Sequence, residues 1–199
     1  MSAMTRTVHP TPVASLAGPL LGGAVVVLVV SLSADAAWGW DGTASALYGV
    51  GSLLLVASCL LLVATQVQLS RVHGGLGRMA QVGIAVSGLG ALLSFVSWAV
   101  VLWATVLGVG TGLFGATLLR RGRVPRTPAL VLTWAVLAVA AVAWAGAVFS
   151  GGEGSAVAST VADVMTGVIL LVLAWALVGV GRWLASAAPE RDLAGLTDH

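Results

Sequence analysis

The sequence contains no lysine: all nine basic residues are arginine, and only 8% of the chain is charged. A soluble domain carries about 25% charged residues, so this chain cannot clothe an ordinary water-facing surface. Without lysine a retinal Schiff base is excluded. The single cysteine, Cys59, excludes an intramolecular disulfide. Lying within an apolar run, it reads as a small core residue. Of the three histidines, His9 and His199 are in tails, and His73 is read as exposed and alone in a loop. No membrane-embedded pair is left for a b-type haem. No nucleophile–His–acid set, metal-ligand cluster or paired buried carboxylate is visible. No cofactor or metal is expected, and the protein reads as no enzyme.

What is present is apolar. Hydrophobic residues make up 59% of the 199 positions, and the mean hydropathy is +1.06. The chain therefore reads as an integral membrane protein. The net charge of +2 is no nucleic-acid signal, because the arginines sit in short loops between spans.

Six spans are predicted, at about 13–33, 44–66, 79–96, 100–119, 128–149 and 160–183. Between Arg78 and Arg120 lie 41 uncharged residues, enough for two spans across a core of about 30 Å. Ser94, Ser97 and Trp98 mark the turn between them, with Trp103 just inside the same interface. The fold class is all-α, a transmembrane helical bundle with both termini cytoplasmic. A membrane domain over 13–185 is flanked by short tails, 1–12 and 186–199. Residues 1–36 also read as a signal peptide, with Arg6 as n-region, an apolar run over 20–30 and Ala34-Asp35-Ala36 as an A-x-A site. The length of the apolar stretch and Gly18-x-x-x-Gly22 favour a retained span.

The most informative stretch is 108–126, GVGTGLFGATLLRRGRVPR. Ala104, Gly108, Gly112 and Ala116 recur every four residues and form one small-residue helix face, suited to close packing. Gly83, Ser87 and Ala91 do the same for the third span. Arg120, Arg121, Arg123 and Arg126 then end the fourth span, since a charge at the bilayer centre costs roughly 2.5–3.5 kcal/mol. These arginines read first as a topology signal and second as an anionic-lipid contact. With six spans, all nine arginines fall on one side and Asp35, Asp41, Glu153 and Asp163 on the other. The positive-inside rule makes the arginine side cytoplasmic and the protein a multi-pass component of the cell membrane.

The central part of every span lacks an ionisable residue, so ion-coupled transport lacks its usual carriers. Asp163 comes closest, and Thr160-x-x-Asp163 reads as a capping box at a helix start. Embedded Ser, Thr and Gln side chains, among them Ser58, Ser87, Thr105, Thr111, Thr133 and Gln66, are expected to bond between helices. Trp175, mid-span, is expected to pack inside the bundle. Gly49-Val50-Gly51-Ser52 echoes Gly108-Val109-Gly110-Thr111, although chance similarity in so Gly- and Val-rich a chain accounts for it.

At 113–126, LFGATLLRRGRVPR, the chain resembles a widespread group of actinobacterial polytopic membrane proteins of uncharacterised activity. These carry a run like L-F-G-x-x-L-L-R-x-G-x-x-P-R between two spans. The loop RVHGGLGRMAQVG is similar to that group too. The resemblance implies a membrane bundle and no activity or site residues; Arg121 and Arg123 make this loop more basic than is usual there.

The expected function is a non-enzymatic membrane subunit or scaffold, its small-residue faces packing against a membrane protein partner or a second copy within the lipid bilayer. The alternative is a transporter or channel for a neutral or lipid-like solute. A membrane enzyme built on Asp35, Asp41 and Asp163 ranks third.

Overall fold

The computed structural model describes residues 13–38, 42–73, 76–95, 100–121, 124–149 and 155–186. They form six helices: α1 (Val13–Trp38), α2 (Gly42–Val72), α3 (Arg78–Leu93), α4 (Val100–Arg121), α5 (Arg126–Phe149) and α6 (Ser155–Ser186). Among the described residues there is no strand. Five helices are long and apolar enough to cross a membrane. The protein is a multi-pass membrane helical bundle.

The helices close into a circuit. Each packs on its chain neighbours and α6 returns to α1, with the α2–α3 seam the lightest. Small residues set these contacts because they let two backbones approach. A Cβ placed on Gly18 of α1 would meet the Ala174 carbonyl oxygen of α6 at 2.7 Å. Gly181 of α6 lies against Ser15 in the same way, and Gly51 of α2 lies against Leu28. Gly83 and Gly90 of α3 face Gly110 and Leu107 of α4. The spacing that relates Gly51 to Gly110 also relates their partners Leu28 and Ser87, so the echo in the sequence coincides with one packing register in two hairpins.

Several boundaries differ from expectation, and the second helix runs on to Val72 rather than ending near 66. The third helix ends at Leu93 rather than near 96. Ser94 caps it, its hydroxyl donating to the Ala91 carbonyl (2.6 Å). At 16 residues it is about 24 Å long, short of the ~30 Å core. It still runs antiparallel along α4, from Phe114 to Leu107, and so brings Arg78 to the same end as Arg120 and Arg121. The sixth helix starts at Ser155, five residues before Thr160. The first is continuous through Ala34-Asp35-Ala36 and packs on both α2 and α6.

The two ends of the bundle differ in charge. At one end, Val13 N donates to Gln68 Oε1 (3.0 Å) and His73 stacks on Trp183 with ring centroids 5.8 Å apart. Gly77, held at φ +83 where glycine is favoured, opens α3 beside Arg121. All six described arginines, Arg71, Arg78, Arg120, Arg121, Arg126 and Arg182, belong to this end. The described carboxylates, Asp35 and Asp163, lie toward the other. Arg6, Arg123, Arg191, Asp41 and Glu153 lie outside the described residues.

Between the ends the outer surface is apolar. Leu53 and Val148 are each 69% exposed, as spans facing hydrocarbon require.

Candidate functional site

The circuit of helices does not fill its own interior. A cavity of about 430 Å³ lies among α1, α2, α4, α5 and α6, within the size range of ligand pockets. Near the carboxylate end its wall includes Val101, Gly146, Ala147, Ala162 and Asp163. It runs toward the arginine end as far as Leu21, Leu62 and Leu177, beyond the middle of the Thr160–Ser186 span. Most of the wall is aliphatic. Ser58, Thr166 and Asp163 are the lining residues with an oxygen in the side chain, and Ser58 already donates to the Leu54 carbonyl (2.7 Å).

Small residues make the space. Ala104, Ala143, Gly146, Ala147 and Ala162 occupy wall positions where larger side chains would close it. Near the carboxylate end α4 is tied to α5 by Trp144, whose Nε1 donates to Thr105 Oγ1 (3.0 Å). This bond joins the two helices beside the wall.

Asp163 is not a helix cap. Because α6 begins at Ser155, Asp163 lies more than two turns inside it, where backbone N–H groups already have intrahelical partners. Gly167 lies against Val25 of α1, so antiparallel packing sets Asp163 level with about residue 29. That is roughly 9 Å short of Asp35 at 1.5 Å per residue. Asp163 is exposed and lies near the start of the Thr160–Ser186 span; its place on the wall of the cavity makes it a functional candidate.

Trp103 shares that wall. It is 9% exposed, so it faces the interior rather than marking an interface. Trp175 reverses in the other sense: expected inside the bundle, it is 66% exposed on the lipid side of α6. Both faces of α6 are apolar, and packing alone decides which one turns inward. His73, read as an exposed loop residue, is half-buried against Trp183, its Nδ1 donating to the Leu69 carbonyl (2.7 Å).

The embedded hydroxyls mostly do not bridge helices. Thr65, Thr111 and Thr133 donate to the carbonyl four residues back on their own helix, a bond always within reach in a helix. Ser31, bonded to the Ala44 carbonyl of α2 (2.8 Å), does cross between helices. Gln66 Oε1 and Ser87 Oγ are buried with no hydrogen-bond partner.

The residues singled out on α4 divide between neighbours. Gly108 and Gly112 face Val136 and Leu137 of α5. Ala104 is fully buried at the cavity, and Ala116 is half-buried. Arg120, Arg121 and Arg126 are exposed at the arginine end, away from the cavity, and Arg123 lies outside the described residues. Among the described residues no three His, Cys, Asp or Glu side chains gather at one point.

Of the cavity's lining, the sequence singled out Asp163, read as a cap, and Ala104, and it passed over the small residues Ala143, Gly146 and Ala147 of α5. Their convergence depends on how five helices are rotated, which no single helix specifies. Comparison with known protein families, with curated proteins and with solved structures gives no match to this chain.

Proposed function

We propose that the protein is a non-enzymatic membrane protein that holds a lipid-like, largely apolar molecule within its bundle, as a carrier or receptor for it. The cavity of about 430 Å³ carries this reading. A void of that size in a membrane bundle is aliphatic along most of its length, and hydrocarbon is its natural filling. Among the described residues its acidic group, Asp163, lies toward one end, as suits a molecule with a polar head and an apolar chain. The subunit or scaffold reading drew on abundant small-residue faces. Gly18, Gly51, Gly83, Gly90, Gly110 and Gly115 all meet neighbours within the same chain, which leaves less of that surface for partners. The gathering of the described arginines at one end supports a placement in the cytoplasmic membrane with that end inward.

The test is mass spectrometry of the protein extracted gently from its native membrane, alone and as Ala143→Phe. A stoichiometric lipid-like species that is lost in the variant supports the proposal. A stoichiometric protein partner with an empty cavity overturns it in favour of a subunit role.

A further inference from the structure

We propose that the occupant of this cavity is a single-chain amphiphile with a positively charged ammonium head, seated at Asp163 with its chain running toward Leu62 and Leu177. This rests on the lipid-binding reading above and adds the identity of the head group.

Three observations converge. First, Asp163 supplies the acidic group of the cavity wall, and no basic side chain lines that wall. An anionic head such as phosphate or carboxylate would meet a like charge there. Second, the described arginines are all at the opposite end of the bundle, past the floor of the cavity. A carboxylate within a span is stabilised by a cationic partner, and among the described residues no cation lines the cavity. An ammonium group supplies both the charge and hydrogen-bond donors, which a carboxylate accepts. Third, Trp103 lines the same cavity and is almost fully buried. An indole face attracts a desolvated cation and repels an anion. Beyond these groups the wall is aliphatic, so the remainder of the ligand is hydrocarbon.

The two described carboxylates of this end have different surroundings. Asp35 is absent from the cavity wall and lies nearer the end of its helix. It therefore serves as a control for a general effect of negative charge at this end.

The experiment uses the full chain in phosphatidylcholine nanodiscs and three probes of one chain length: dodecylamine, dodecanol and dodecanoate. Binding is read by displacement of a brominated dodecyl chain that quenches Trp103, with Trp103→Phe identifying the signal. Dodecylamine is expected to bind at least tenfold more tightly than dodecanoate, with dodecanol between them. Asp163→Asn is expected to remove the preference for the amine while dodecanol still binds, and Asp35→Asn to leave the preference unchanged. Equal binding of all three probes, or an amine preference that survives Asp163→Asn, overturns the head-group assignment and leaves the cavity reading standing. Failure of every probe to bind overturns both.

Discussion

Gly110 of α4 lies directly against Ser87 of α3, so close that a Cβ at position 110 would collide with the Ser87 backbone nitrogen. The same Cβ would meet the Gly83 carbonyl oxygen at 2.8 Å. The two helix backbones are in contact here, with the small Ser87 hydroxyl beside the same position. Gly110→Leu is therefore expected to force α3 from α4 and to destabilise the protein by about 3 kcal/mol. Gly88, on the same α3, has nothing within 4 Å of its Cβ position. Gly88→Ala is expected to be neutral, or stabilising by up to about 1 kcal/mol through helix propensity. Unfolding in mixed detergent micelles checks both; equal losses in the two variants would contradict the assigned contact.

The α4–α5 seam makes a finer distinction. A Cβ on Gly115 would press on Thr133 at its Cα (2.9 Å), which is backbone and cannot turn aside. A Cβ on Gly112 would touch Leu137 Cδ1 at 3.0 Å, the far end of a side chain that can rotate. Gly115→Ala should cost more than Gly112→Ala, with a difference of roughly 1 kcal/mol. Gly112→Leu, filling the same seam, should cost more than Gly112→Ala. The order of midpoints in one denaturation series decides this.

The Trp144–Thr105 hydrogen bond ties α4 to α5 beside the cavity. Trp144→Phe, Thr105→Val and the double variant form a thermodynamic cycle. Its coupling term is expected near 0.6 kcal/mol, the size typical of interhelical hydrogen bonds in membranes. A coupling term of zero would show that the bond does not persist in the bilayer.

The orientation can be read with a membrane-impermeant maleimide. In a Cys59→Ser background, Thr43→Cys and Ser186→Cys place single thiols at exposed positions on opposite ends of the bundle. Cysteine at 43 should be labelled in intact cells, and cysteine at 186 only after permeabilisation. The reverse pattern would put the arginine end outside. With Cys59 left in place, its thiol should resist labelling in both conditions, since it is 6% exposed in the interior.

The sequence by itself determined the helical class, the six helices, their order and the segregation of arginine from carboxylate. These follow from partition between water and lipid, and that partition acts on each segment almost independently. A run of 41 uncharged residues is too long for one crossing whatever surrounds it, and it forms the antiparallel pair α3 and α4. An arginine cluster must stay in water for the same reason.

Only the tertiary structure decided which side of each helix turns inward. In a soluble helix the polar stripe announces the outer face, but in these spans both faces are apolar and hydropathy is silent about rotation. So Trp103 turned out to face the interior and Trp175 the lipid, although the sequence suggested the reverse for Trp175. The start of α6 at Ser155 removed Asp163 from a helix end, and packing against α1 set it on a cavity wall. The cavity arises from the summed shapes of five helices. Its volume depends on how closely glycines and alanines let those backbones approach, a property of pairs of helices that no one span encodes.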